Sequence, residues 1–258
     1  MRRIVIIILG CLMLFAFRQS NLPLLIVKKH QDFAVDHLGN MYLVNESELL
    51  KYSSNGQYYN RYSNLKFGNI TSMDATNSLR LLLFYREYQQ IVFLDNQLSQ
   101  NNQPVSLEEM GYEQTELVCQ SANNGFWIFN KANNEILRFD EDLKRLVATG
   151  NLKQILQREM NPNFITEHNG YLFLNCPESG IYVFDMFGTF NKLISLKGLR
   201  HFQVSDGVIY YVKQNKVFSF QYKLFEEASD TLRLTNARKV FFMKGKVAVS
   251  NNDTLKVY

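Results

Sequence analysis

Short apolar runs broken by polar turns recur along nearly the whole chain. The clearest copy is Asn169-Gly-Tyr-Leu-Phe-Leu-Asn175, followed by Cys176-Pro-Glu-Ser and then Gly180-Ile-Tyr-Val-Phe-Asp185. Runs of this length, rich in aromatic and β-branched residues and bounded by Gly, Pro or Asn, read as strands, and two with a polar turn between them read as a hairpin. The same pair appears as Met41–Val44 with Leu49–Tyr52, Leu81–Phe84 with Ile91–Leu94, and Phe126–Phe129 with Ile136–Phe139. It returns as Val208–Val212 with Val217–Phe220, and as Val247–Val249 with Leu255–Tyr258. The second runs end at 52, 94, 139, 184, 220 and 258, so successive copies are 42, 45, 45, 36 and 38 residues apart. A strand-rich repeat of about forty residues predicts a β-propeller, and six copies predict six blades.

Each first run follows a turn signal: Leu38-Gly-Asn40, Asn77-Ser78, Asn123-Asn-Gly125, Asn169-Gly170, Asp206-Gly207 and Lys244-Gly245. Gly and Asn tolerate the positive φ of tight turns, so these positions mark the passage from an innermost to a second strand. Innermost strands are expected at Asp32–Asp36, Ile70–Asp74, Glu116–Gln120, Phe164–His168, His201–Ser205 and Lys239–Met243. Outer strands are expected at Gln57–Tyr62, Gln97–Gln100, Leu143–Ala148, Thr189–Leu196 and Thr231–Leu234. The chain stops on the third strand of the sixth unit, and Leu22–Lys28 is a spare strand at the other end. Pairing the two would close the ring and cover an open sheet edge. The expected fold is therefore all-β: a six-bladed propeller of four-stranded antiparallel blades, closed by an N-terminal strand.

The turns resemble those of six-bladed propellers of the NHL-repeat type. Their unit runs Asp-x-x-Gly-Asn-hydrophobic-Tyr-Val and then hydrophobic-x-Phe-Asp-x-x-Gly. Asp36-His-Leu-Gly-Asn-Met-Tyr-Leu-Val44 is similar to the first half and Ile181-Tyr-Val-Phe-Asp-Met-Phe-Gly188 to the second, with Ile136-Leu-Arg-Phe-Asp140 a partial match. The resemblance spans residues 22–258 and concerns turns and core, so it implies architecture before activity.

With 46% hydrophobic and 14% aromatic residues the chain can bury a large core. The formal charge of +4 comes largely from Arg2, Arg3 and Arg18. Residues 21–258 hold 25 basic against 24 acidic side chains, a balance that gives no reason to invoke nucleic acid. The basic start and apolar stretch Ile4–Phe17 divide the chain into residues 1–20, a signal peptide or membrane anchor, and residues 21–258, the propeller. An exported, periplasmic or cell-surface location follows, with the membrane touched only through that leader. Lipidation at Cys11 is an alternative fate. Cys119 and Cys176 are expected to be buried free thiols on neighbouring units.

Certain propellers similar to this one are calcium-dependent hydrolases or lactonases, whose metal needs converging oxygen ligands. Channel candidates are Asp32, Asp36, Asp74, Glu116 and Glu167. Asp36 and Asp74 adjoin turns, where Asp caps backbone N–H groups, leaving no recognisable ligand set. His37 and His168 read as solvated turn residues; His30 and His201 begin inner strands and read as channel or rim groups. Trp127 reads as core. No catalytic, metal or cofactor residues are assigned.

The connections at 99–114 and 149–163 are longest. The second contains a helical pattern over Asn151–Met160, with Leu152, Ile155 and Leu156 on one face; Ser106 and Glu109 fit a capping box. Long loops on a rigid scaffold are where binding concentrates. The expected function is non-enzymatic protein–protein scaffolding in a bacterial envelope complex. Docking is assigned to Tyr85, Arg86, Tyr88, Met110, Tyr112, Arg158 and Met160. A metal-dependent hydrolase, or recognition of a carbohydrate or small ligand at the channel mouth, are the alternatives.

Overall fold

The structure is a computed structural model that describes residues 23–258 except 225, 235, 236, 244, 245 and 252. The leader with Cys11, and the expected turn at Lys244-Gly245, lie outside the described residues. Among the described residues no helix is long and apolar enough to cross a membrane.

Six four-stranded antiparallel sheets form the predicted ring. The first strand, β1 (Leu24–Val27), precedes blade 1, which is β2 (Asp32–Val35), β3 (Met41–Asn45), β4 (Glu48–Tyr52) and β5 (Tyr58–Ser63). Blade 2 is β6 (Ser72–Asp74), β7 (Leu81–Tyr85), β8 (Gln90–Leu94) and β9 (Val105–Ser106). Blade 3 is β10 (Thr115–Gln120), β11 (Phe126–Asn130), β12 (Glu135–Phe139) and β13 (Arg145–Ala148). Blade 4 follows helix α1 (Leu152–Leu156) and is β14 (Phe164–His168), β15 (Tyr171–Cys176), β16 (Gly180–Asp185) and β17 (Phe190–Ile194). Blade 5 is β18 (Phe202–Ser205), β19 (Val208–Lys213), β20 (Lys216–Gln221) and β21 (Glu226–Arg233). Blade 6 contributes β22 (Lys239–Met243), β23 (Lys246–Ser250) and β24 (Thr254–Val257), and takes β1 as its outer strand.

That closure is antiparallel, pairing Leu24 with Val257 and Val27 with Thr254. Ile26 turns inward beside Leu255, Val257 and Phe33, so the N-terminal strand joins the core between blades 6 and 1. The last blade thus needs both chain ends, and the exposed edge of β24 disappears.

The core consists of six apolar clusters, one between each pair of adjacent blades. This explains why second strands read as unbroken apolar runs. In β7, Leu81, Leu83 and Tyr85 pack toward blade 1, whereas Leu82 and Phe84 pack toward blade 3. With both faces of the sheet covered, no polar alternation survives.

The turns have a common construction. Asp36, Asp95, Asp140 and Asp185 each accept backbone N–H groups two and four residues later, at 2.8–3.1 Å. The residue three positions after each Asp has positive φ: Gly39, Leu98, Leu143 and Gly188. The Asp-x-x-Gly motif is therefore an Asx turn whose fourth position is left-handed, a role that glycine fills without strain.

Two local expectations are corrected. The outer strand of blade 2 is Val105–Ser106, because Asp95–Ser99 is consumed by the turn and Asn101–Pro104 runs without ladder partners. The helix stops at Leu156, where Gln157 adopts a left-handed φ of 50° as C-cap, instead of continuing to Met160. Asn151 caps it, accepting from Gln154 N at 3.1 Å. Around Ser106 the chain makes the single turn that the capping pattern suggests, with Met110 N bound to Ser106 O at 3.3 Å and Ser106 Oγ accepting from Glu109 N at 3.2 Å. Cys119 and Cys176 are buried and unpaired.

Candidate functional site

Antiparallel blades place the turns between first and second strands, and between third and fourth strands, on one face of the ring. The long connections and the turns between second and third strands occupy the other. The seven residues expected to dock a partner divide by burial on the long-connection face. Tyr85 is fully buried in the core between blades 1 and 2, and Met160 is 4% exposed in the core between blades 3 and 4. Neither offers a surface, because both complete interblade packing. Met110 and Tyr112 are half-buried against the core between blades 2 and 3, Tyr112 edge-on to Phe139 at 5.4 Å. Arg86, Tyr88 and Arg158 are exposed.

Large exposed apolar side chains stand on both faces: Leu65, Tyr88 and Ile155 on the long-connection face, and a set spread over all six blades on the opposite one. Leu38, Leu79, Leu143, Phe187, Leu224 and Tyr258 stand at turns or the strand end of blades 1, 2, 3, 4, 5 and 6 in that order, joined by Met186 in blade 4. The turn geometry places several of them. Leu38, Leu79 and Phe187 are each two residues after an Asx side chain (Asp36, Asn77, Asp185) that binds their backbone N–H at 2.9–3.0 Å. At that position the side chain projects outward. An apolar residue two places after a turn Asp or Asn was the legible sequence signal, and periodicity arguments pass over it.

The central channel encloses about 600 Å³. Its wall mixes apolar groups such as Met73, Phe164 and Phe241 with Thr166, His168, His201 and Gln203. Of the expected metal ligands, Asp36, Asp74 and Glu167 line this cavity, and each carboxylate is already engaged. Asp36 binds the N–H groups of Leu38 and Asn40, the Asn40 amide and Tyr42 Oη. Asp74 accepts from Thr76 N, Thr76 Oγ1 and, across the blade boundary, Gln120 N at 2.9 Å. Glu167 reaches into blade 3, accepting from Ser121 Oγ at 2.7 Å, Ala122 N at 3.1 Å and the Trp127 indole N–H. Glu116 turns away to Lys131 at 2.7 Å, and Asp32 pairs with Lys239 at 2.7 Å. Among the described residues no three His, Cys, Asp or Glu side chains are grouped to hold a metal ion. Asp32, Asp74 and Glu167 are thus interblade fasteners, whereas Asp36 and Glu116 are spent within their own blades.

Further fasteners cross two other boundaries. Gln203 in blade 5 exchanges two hydrogen bonds with the backbone of Phe242 in blade 6. Asn163 and Asn175 of blade 4 donate to the Leu199 carbonyl leading into blade 5.

The histidines separate into roles. His30 is buried, with its ring nitrogens 2.6 Å from Lys28 O and Ser250 Oγ, and is structural. His37 is an exposed turn residue. His201 is half-buried in the channel wall, its ring 4.5 Å from Phe164 and 5.3 Å from Phe241. Burial, with the Lys239 charge adding to it, holds its pKa well below the ordinary value. His168 is not a solvated turn residue: its Nε2 is buried without a hydrogen-bond partner, and burial lowers its pKa against the opposing pull of Asp206. Two uncharged imidazoles thus face a cavity of ligand size, since binding pockets commonly measure ~300–1,000 Å³.

No protein-family model matches the chain, and no curated protein sequence matches it. Among solved structures, a streptogramin B lyase superposes with a TM-score of 0.60 at 16% identity, over 88% of this chain and 78% of the lyase. A catalytically inactive virginiamycin B lyase from Staphylococcus aureus, solved with quinupristin, gives 0.60 at 13% identity, over 87% and 78%. A chain of a nidogen/laminin complex gives 0.54 at 13%, over 78% of each. The likeness is one of fold. Enzymes and protein-binding propellers stand together among these relatives in shape.

Proposed function

We propose that this chain is an NHL-like, non-enzymatic propeller that binds a protein partner in a bacterial envelope complex, exported by its N-terminal leader. The observation that carries this reading is the set of exposed apolar side chains, one or more per blade, on the face opposite the long connections. Phe187 is 72% exposed and Leu79 67%, a solvation cost that a monomer has no reason to keep on successive turns. Aromatic and aliphatic anchors of this kind carry most of the binding energy at protein interfaces. The likeness in shape to a propeller of the nidogen/laminin complex supports the reading. The lyase likeness supports the rival enzyme reading less, because the channel carboxylates here are spent on a turn cap (Asp36) and on fastening blades (Asp74, Glu167).

The test is capture of partners from the native host with wild-type protein and with L79D/F187D, each shown to be folded by circular dichroism, followed by reconstitution with the purified partner. The partner should be lost with L79D/F187D and kept with Y88D. Loss with Y88D alone would move the interface to the long-connection face, and recovery of the wild-type chain alone would defeat the scaffold reading. A second reading, a small neutral ligand in the channel, is favoured by the unpartnered His168 Nε2. Binding that disappears in H168F would establish it.

A further inference from the structure

Blades 5 and 6 enclose a second cavity of about 280 Å³. Its lining includes Arg200, Lys213, Arg238 and Lys239, together with His201 and Tyr210, and among the described residues contains no Asp or Glu. Lys239 is neutralised by Asp32 at 2.7 Å. Arg200, Lys213 and Arg238 form no salt bridge among the described residues.

Several cations elsewhere in the ring are engaged by protein acceptors. Lys51, Arg138 and Lys192 cross to the next blade and donate to the carbonyls of Asn96, Met186 and Tyr222. Arg61, Lys131 and Lys153 pair with Glu48, Glu116 and Glu159. In the cavity between blades 5 and 6, three cations with no carboxylate partner among the described residues share one concave wall. Like charges held together repel, and a concave wall concentrates their field, so a site of this kind favours an incoming anion. Guanidinium groups supply paired N–H donors that match carboxylate and phosphate oxygens. Tyr210, stacked on Phe242 at 4.4 Å, fixes one side of the wall.

From these observations we infer that the cavity between blades 5 and 6 is a binding site for a small organic anion bearing carboxylate or phosphate groups, held by Arg200, Arg238 and Lys213. Its volume of about 280 Å³ falls just below the ligand-pocket range of ~300–1,000 Å³, which suits a small molecule. The inference goes beyond the scaffold reading and stands on the other face of the ring, so either can fail alone.

The experiment is isothermal titration of the whole chain with citrate and, separately, with inorganic phosphate, against sodium chloride at matched ionic strength. At least one anion should bind saturably with one site per chain. R200Q and R238Q should each weaken it by roughly tenfold, the loss of one charge-assisted contact. K144Q, a cation on the opposite face, should leave binding unchanged. Preference for citrate identifies a carboxylate ligand and preference for phosphate a phosphate ligand. Equal affinity in R200Q, R238Q and wild type, or a response no larger than that to chloride, overturns the assignment. Because both arginines are exposed, the variants are expected to fold, and thermal melts check this directly.

Discussion

Replacing Glu167 with Ala should loosen one particular seam of the ring, and the protein carries its own reporter there. The Glu167 carboxylate of blade 4 accepts three hydrogen bonds from blade 3: from Ser121 Oγ, from Ala122 N and from the indole of Trp127, the only tryptophan. On truncation, the exposed Ala122 amide is rehydrated, and Ser121 keeps Arg138 Nε as a donor at 2.7 Å. Trp127 is 0% exposed and its indole N–H is left without an acceptor. An unsatisfied buried donor costs ~1–3 kcal/mol, and each hydrogen bond to a charged group contributes ~1.5–3 kcal/mol. Solvation of Ser121 and Ala122 offsets part of this, so about 3 kcal/mol is expected for E167A. For a chain of this size that is a fall in Tm of ~6–12 °C. The assay is urea unfolding followed by Trp127 fluorescence and by circular dichroism. W127F removes the orphaned donor, so the E167A/W127F cycle should show a coupling of ~1–2 kcal/mol. A loss under ~0.5 kcal/mol in E167A, or no coupling, would refute the role of Glu167 as a blade fastener.

Leu143 holds a φ of 63° at the turn position that glycine fills in blade 4, and is 40% exposed, so L143G should raise stability by about 0.5–1 kcal/mol in chemical denaturation. Leu98 has the same φ but is 4% exposed in the core between blades 1 and 2, so L98G should instead destabilise by ~2–3 kcal/mol as burial outweighs relief of strain. Burial raises the pKa of Cys119 well above the usual thiol value and pushes Cys176 up to about 12, so neither should react with Ellman's reagent at pH 8 until urea unfolds the chain. His201 is held neutral by burial and by Lys239, below its ordinary value of 6.5. The unfolded chain therefore takes up the proton first as pH falls, and stability present above pH 6.5 should be lost on acidification. The slope is at most ~1.4 kcal/mol per pH unit for this group, and H201F should flatten it in pH-dependent melts.

Much of the architecture is legible in the residues themselves. Unbroken apolar runs in second and third strands recorded burial on both faces, as Leu81–Tyr85 shows by dividing its side chains between two cores. Spare strand Leu24–Val27 and the unfinished sixth unit foretold the closure. The outer strand of blade 2 escaped detection because it is two residues long and its place in the repeat is filled by the Asp95 turn. Tyr85 and Met160 were read as surface anchors for a related reason: they have the chemistry of anchors, but no local pattern distinguishes an aromatic or Met that completes a core from one that faces water.

The sequence alone determined the number of blades, the strand order within each repeat and most of the turns, because these follow from contacts within about forty residues and from the φ preferences of Asp, Asn and Gly. Tertiary structure decided what the polar residues do. Asp74, Gln120, Glu167 and Trp127 meet only when neighbouring blades pack, and the cations of blades 5 and 6 converge only in the closed ring. Their partners lie roughly one repeat away or further, a separation over which a one-dimensional pattern carries no record of direction or distance.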